Sequence, residues 1–155
     1  MNAMTFSGPV GGLWRRRGVV ALLVVAGGIS YIDRSALSVG NTAIVADMHF
    51  SDTQMGWMLS AFAWAYLVFQ IPAGLLSDRW GGRLVLGISL VVWSLAQIAF
   101  GLASGVWAFF ICRALLGTGE APLFLAGTSV ITRWFRPEER GGPLGLVNSS
   151  TTLGP

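Results

Sequence analysis

Four apolar runs, each about the length needed to cross a bilayer, leave this chain few folds to choose from. They cover roughly 18–41, 55–76, 84–103 and 106–131. A hydrocarbon core of about 30 Å takes about 20 helical residues. Backbone amides in lipid have no water to bond, so each run must satisfy them internally, as a helix. A fifth run begins near Pro143 and reaches Pro155, too short for a full span. The expected fold is all-α: a polytopic transmembrane helix bundle with four complete spans and an incomplete fifth at about 143–155. Composition agrees, since 11% of residues are charged and 54% hydrophobic, whereas soluble domains carry about 25% charged residues.

Residues 1–17 read as an N-terminal tail ahead of a transmembrane part at 18–155. Met1–Trp14 is rich in glycine and small residues and is expected to be disordered. Arg15-Arg16-Arg17 resembles the front of a signal peptide. No small-residue cleavage site follows and more spans do, so a retained signal anchor is expected. All ten basic residues are arginine. Eight of them (Arg15, Arg16, Arg17, Arg79, Arg83, Arg133, Arg136 and Arg140) fall on one side of the predicted topology, and the opposite loops at 42–53 and 104–105 hold none. The positive-inside rule then places the N-terminus in the cytoplasm of a multi-pass inner (plasma) membrane protein. Arginines so arranged mark membrane sidedness and not a nucleic-acid surface. Ser51 and Gln54 have capping-box spacing, so Ser51 should open the second span. Cys112 reads as a small buried apolar residue and His49 as a loop residue. A single histidine makes no metal site. With no Ser/His or metal-ligand constellation, the sequence offers neither an enzyme nor a bound cofactor.

The two remaining arginines, Arg34 and Arg113, lie inside spans, as do Asp33 and Glu120. Each such charge costs about 2.5–3.5 kcal/mol at a bilayer centre, so it is kept where it has partners or a task. Neighbours on a helix point about 100° apart, so Asp33 and Arg34 need partners on other helices. Arg113 and Glu120 are seven residues apart and share a face, with Gly117 between them. Counting about 1.5 Å of rise per residue puts Asp33 and Arg113 at similar depth and Glu120 deeper. The expected pairing is Asp33 with Arg113, leaving Arg34 for an anionic ligand and Glu120 for a proton. The competing reading is a charge network that only locks helix packing.

Other features allow two readings each. Tyr31 shares the face of Arg34 and suits either an interior hydrogen bond or a ligand contact. Tyr66 and Gln70 either line the same cavity or bond helix to helix. Trp57, Trp64, Trp93 and Trp107 fit lipid-facing or interfacial positions, and Arg133–Arg140 fits a solvated loop. Asp78 ends the second span, where the helix terminus is already partly negative. Arg79, Arg83 or the N-terminus of another helix could offset it. Gly74 allows a close backbone approach, and Gly81-Gly82 a turn.

The stretch Gly74-Leu75-Leu76-Ser77-Asp78-Arg79-Trp80-Gly81-Gly82-Arg83 resembles the signature loop between spans two and three of the major facilitator superfamily. Arg113-Ala114-Leu115-Leu116-Gly117-Thr118-Gly119-Glu120-Ala121 is similar to the family's span-four motif. Tyr31-Ile32-Asp33-Arg34, Glu120-Ala121-Pro122 and Arg133-Trp134-Phe135 together resemble the anion:cation symporter branch, which includes bacterial sugar-acid:proton symporters. The resemblance covers about Arg17 to Pro155 and implies the N-terminal part of a carrier of two six-span halves. It implies coupling protons on Asp33 and Glu120. A small organic anion would lie against Arg34, Tyr31 and Tyr66. Gly74, Asp78, Arg79, Gly81 and Arg83 would form a cytoplasmic gate packed against the missing C-terminal half. Two positions depart from the pattern. Leu125 stands where relatives often have Pro, so a kink in span four is not expected there, and Thr151 stands where sugar-acid carriers can have Gln.

The function expected is proton-coupled uptake of a sugar acid or related carboxylate, with this chain as a truncated fragment. The partners expected are the anion, protons, the lipid bilayer and the absent half. The alternative is a non-transporting membrane subunit or assembly partner.

Overall fold

A computed structural model describes residues 12–150, all helices and short connections. The expectations for Met1–Gly11 and for Thr151 lie outside the described residues. Helix α1 spans Leu13–Met48, α2 Asp52–Trp80, α3 Gly82–Leu102, α4 Val106–Glu120 and α5 Pro122–Trp134. A 3-10 turn at Pro137–Glu139 leads to α6, Gly141–Ser149. Four stretches are long and apolar enough to cross a membrane: Leu13–Gly40, Asp52–Trp80, Gly82–Leu102 and the α4–α5 pair, Val106–Trp134.

Local chemistry sets the boundaries. The α1 helix begins within the expected tail, at Leu13, and runs to Met48, through most of the expected loop at 42–53. His49 stops it by taking the left-handed conformation, at φ 55°. Ser51 then caps α2, and both arms of its capping box with Gln54 form. Gly81 and Gly105 make the next two turns at φ 85°, where a side chain would be strained. The fourth span is broken, but not at Leu125, through which α5 runs without interruption. The break falls at Ala121–Pro122, because Pro122 has no N–H to continue the α4 ladder.

The fourth span is the centre of the bundle. In its apolar window 56% of residues are buried, against 17–22% in the other three. It packs against α2 and α3 at once, and glycine makes that possible. Gly117 and Gly119 point about 200° apart on the helix. A Cβ on Gly117 would run into the Phe62 carbonyl oxygen of α2 and lie 3.1 Å from the Tyr66 amide. A Cβ on Gly119 would lie 2.8 Å from the Trp93 amide of α3. The Ser89 hydroxyl reinforces the second approach by donating to the Gly119 carbonyl. Gly74 plays no such part, since its nearest neighbour is a side-chain methyl of Leu125 at 3.7 Å.

Large apolar side chains face outward, among them Leu22, Trp64, Ile71, Leu95 and Trp107, while Ser30, Ser89, Arg113 and Glu120 are buried. A soluble protein shows the reverse arrangement; a bundle in lipid requires this one. Trp57, Trp64 and Trp107 are exposed as expected. Trp93 is buried, a correction with a consequence for the site below.

The arginine-rich segments gather at one end of the bundle. Arg16 is buried, pairs with Glu139 and lies 4.3 Å from the Phe135 ring centroid. That hydrogen bond holds the Glu139 carboxyl below the usual carboxylate range. Arg140 donates to the carbonyls of Thr132 (2.7 Å) and Phe135 (3.2 Å). Arg83 lies 5.2 Å from the Trp134 ring. The stretch 133–140 is thus a folded clasp on α1 and α3, although Arg133, Arg136, Glu138 and Glu139 remain exposed. Asp78 is exposed and forms no ion pair with Arg79 or Arg83, two of the three groups that could offset it.

Replacing Gly117 by Ala should lower the thermal unfolding midpoint by several degrees. The new methyl meets backbone that cannot swing aside, and overpacking costs about 1–3 kcal/mol. Gly87→Ala, with nothing within 4 Å of its Cβ, should leave the midpoint unchanged or raise it. Equal midpoints for both variants would contradict the close approach.

Candidate functional site

Glu120 ends α4 just before the proline break and is 1% exposed. Three donors from α1 converge on its Oε2. The Ser30 hydroxyl donates at 2.7 Å, Arg34 Nη2 at 2.8 Å and Arg34 Nε at 3.1 Å. Ser30 and Arg34 are one helical turn apart, so one face of α1 supplies all three. The pair is asymmetric, because the Arg34 side chain is 40% exposed. The acid is sealed between helices and the base is open on one side.

Aromatic rings of α2 floor that opening. Arg34 Cζ lies 5.0 Å from the Phe62 ring centroid and 5.2 Å from that of Tyr66, and the two rings are stacked at 6.0 Å. Arg113 lies on Phe62 as well, at 4.7 Å, so one phenyl ring is shared by two guanidinium groups. Such contacts are worth about 0.5–1 kcal/mol each at exposed sites and about 2 kcal/mol when desolvated. Arg113 is buried, and its Nε has no hydrogen-bond partner among the described residues.

Arg113 does not pair with Asp33, as depth along the helices had suggested. Asp33 turns instead toward α3. Its Oδ2 accepts from the Trp93 indole N–H at 2.8 Å and its Oδ1 from the Gln97 amide at 3.2 Å. Depth fixes height in the membrane but not direction around the helix. Asp33 and Arg34 diverge by about 100°, so one meets α3 and the other α4.

Three of the four intramembrane charges therefore form two stations, Arg34–Glu120 with Ser30 and Asp33 with Trp93 and Gln97, while Arg113 lies against Phe62. Tyr66 joins the first, and Tyr31 is half-buried on α1 three residues before Arg34. Gln70 lines a separate groove with Gly74, Asp78 and Leu125, so it does not extend the Tyr66 surface. Gly74, Asp78, Arg79, Gly81 and Arg83 belong to the arginine-rich end of the bundle. Four contributors were missed in the sequence: Ser30, Phe62, Trp93 and Gln97. Ser30 and Phe62 each stand four residues before a residue that was singled out, and that spacing was the available signal.

A profile of the family described as the Major Facilitator Superfamily matches residues 23–155. The hexuronate transporter of Bacillus subtilis (strain 168) is 42% identical over 136 residues, covering 88% of this chain and 32% of the relative. The probable L-galactonate transporter of Escherichia coli (strain K12) is 43% identical over 133 residues, covering 86% of this chain and 29% of the relative. The D-galactonate transporter of Escherichia coli O6:H1 is 34% identical over 140 residues, covering 90% and 33% respectively. The chain spans about a third of the length of the curated relatives it matches. With its membrane-length helices, its glycine-bearing fourth span and its internal charges, this chain belongs to the Major Facilitator Superfamily.

Proposed function

We propose that this chain supplies the N-terminal part of the substrate path of a proton-coupled symporter for a small organic anion of the sugar-acid class, within the anion:cation symporter branch. The observation that carries the reading is the asymmetric pair: Arg34 is 40% exposed while Glu120 is 1% exposed beneath it. The relatives' names, hexuronate, L-galactonate and D-galactonate transporters, supply the substrate class. They do not favour a non-transporting subunit.

In this reading the arriving carboxylate competes with Glu120 for Arg34. A guanidinium offers a planar fork of donors that suits a carboxylate, and the Phe62 and Tyr66 rings hold the fork in place. Tyr66, whose ring lies 5.2 Å from the Arg34 guanidinium, and Tyr31, three residues before Arg34, serve the sugar hydroxyls. Once Arg34 turns to the ligand, Glu120 is left buried without its cation, at a cost of several kcal/mol. A proton taken up by Glu120 removes that cost, so anion and proton bind together. Asp33 is the second proton site, and protonation of Asp33 or Glu120 from the outside starts the cycle. Binding and protonation remove the ties between α1 and α4, and the two halves of the carrier rock to open the cytoplasmic side. The N-terminus then lies in the cytoplasm of the inner membrane. The loop with Gly74, Asp78, Arg79, Gly81 and Arg83 lies on that side and gates against the C-terminal half. No bound cofactor takes part.

Two variants of a full-length carrier built on this chain test the roles. Arg34→Ala should lower anion uptake by on the order of 10–100-fold, the value of one charge-assisted fork, with membrane insertion unchanged; normal uptake would sink the binding role. Glu120→Gln should abolish accumulation driven by a proton gradient while exchange of labelled anion across the membrane continues. Unaltered accumulation in that variant would remove Glu120 from coupling.

A further inference from the structure

Among the described residues Asp33 has no ion pair, and the donors it does have are of two kinds. A groove of about 490 Å³ between α1 and α3 is lined by Asp33, Trp93, Ser94 and Gln97, with apolar residues such as Ile29 and Leu90. Both hydrogen bonds to Asp33 among the described residues come from α3. The charged groups that face it are Arg113 and Glu120 on α4, with Arg34 next along α1. The ion pair of Arg34 is with Glu120 and not with Asp33.

A carboxylate only accepts hydrogen bonds, whereas the carboxylic acid also has an O–H to donate. The Trp93 indole can only donate, so it serves the carboxylate, or the carbonyl oxygen of the acid, and never the O–H. Gln97 has both functions. In the structure its Nε2 donates to Asp33, while its Oε1 is buried without a hydrogen-bond partner. A buried, unpartnered amide oxygen costs about 1–3 kcal/mol. Rotation about the last side-chain torsion of glutamine exchanges Oε1 and Nε2 with no movement of the helix, and that torsion is soft.

We infer that Gln97 is a positioning residue that reads the protonation state of Asp33. It donates through Nε2 to the carboxylate and, after its amide turns over, accepts the O–H of the acid through Oε1. A hydronium ion gives its proton to Asp33 Oδ1: its O–H bond breaks, the O–H bond of the acid forms, and a water molecule leaves. Trp93 keeps its donor on Oδ2 in both states. Asp33 can thus gain and lose a proton while keeping a hydrogen bond with Gln97 and one from Trp93 in both the charged and the neutral state. This inference rests on the proposed role of Asp33 as a proton site.

Infrared difference spectra between alkaline and acidic pH, recorded on the full chain in lipid, test it. The side-chain amide of glutamine would carry ¹³C, and the chain has glutamine only at 54, 70 and 97. Acidification should produce a protonated-carboxyl band that Asp33→Asn removes. With it, one glutamine carbonyl band should shift to lower frequency as its oxygen gains a hydrogen bond. That shift should be lost in Gln97→Met and retained in Gln70→Met. An Asp33 acid band with no change in any glutamine carbonyl overturns the inference while leaving Asp33 a proton site. The absence of an Asp33 acid band at any accessible pH overturns the proton site itself and the inference with it.

Discussion

A carboxylate buried in the middle of an apolar bundle must be held by something, and much of this structure follows from how Glu120 is held. Leaving it alone would cost several kcal/mol. Three donors from a single face of α1 meet one of its oxygens, and that convergence fixes how α1 lies against the fourth span. Helix α1 otherwise packs lightly on α2 and more on α5 and α6. The pair is therefore a tie between helices as well as a site. In the proposed function a ligand and a proton would each release that tie, which suits a carrier whose parts move.

The fourth span can carry this tie because it is central, and it is central because it is thin. Gly117 and Gly119 present almost no side-chain bulk to α2 and α3 on opposite faces. The backbones close in until Phe62 and Trp93 lie beside the charges. Phe62 then lies against both Arg34 and Arg113, and Trp93 reaches Asp33. Small residues at the helix contacts and aromatic residues around the charges are two sides of one packing arrangement. The proline after Glu120 adds to it by ending the α4 ladder where the acid must be presented.

Period and hydropathy showed the four spans, their order and most of their turns in the sequence, since membrane-length helices follow from backbone hydrogen bonding alone. Ser51 and Gln54 announced a cap that forms as read. The site was legible as a set of charges but not as pairs. Sequence gives the height of a residue on a helix, whereas partnership also needs the rotation of each helix about its axis, which packing decides. Hence Asp33 was matched to Arg113 by depth and found with Trp93 and Gln97 instead. Trp93 was hidden for another reason: tryptophan in a span is read as facing lipid, and only the glycine opposite it shows that a buried place exists. The stretch 133–140 looked solvated because its sequence is charged, yet Arg140 spends its donors on backbone carbonyls.

The central claim is that anion and proton are linked through competition for one arginine. Calorimetric titration of a full-length carrier built on this chain with a hexuronate or galactonate, in two buffers of different ionisation enthalpy, measures that link directly. The account predicts that anion binding draws about one proton from solution, and that Glu120→Gln binds the anion without drawing that proton. Binding of the anion to the unmodified carrier with no proton uptake in either buffer would contradict it.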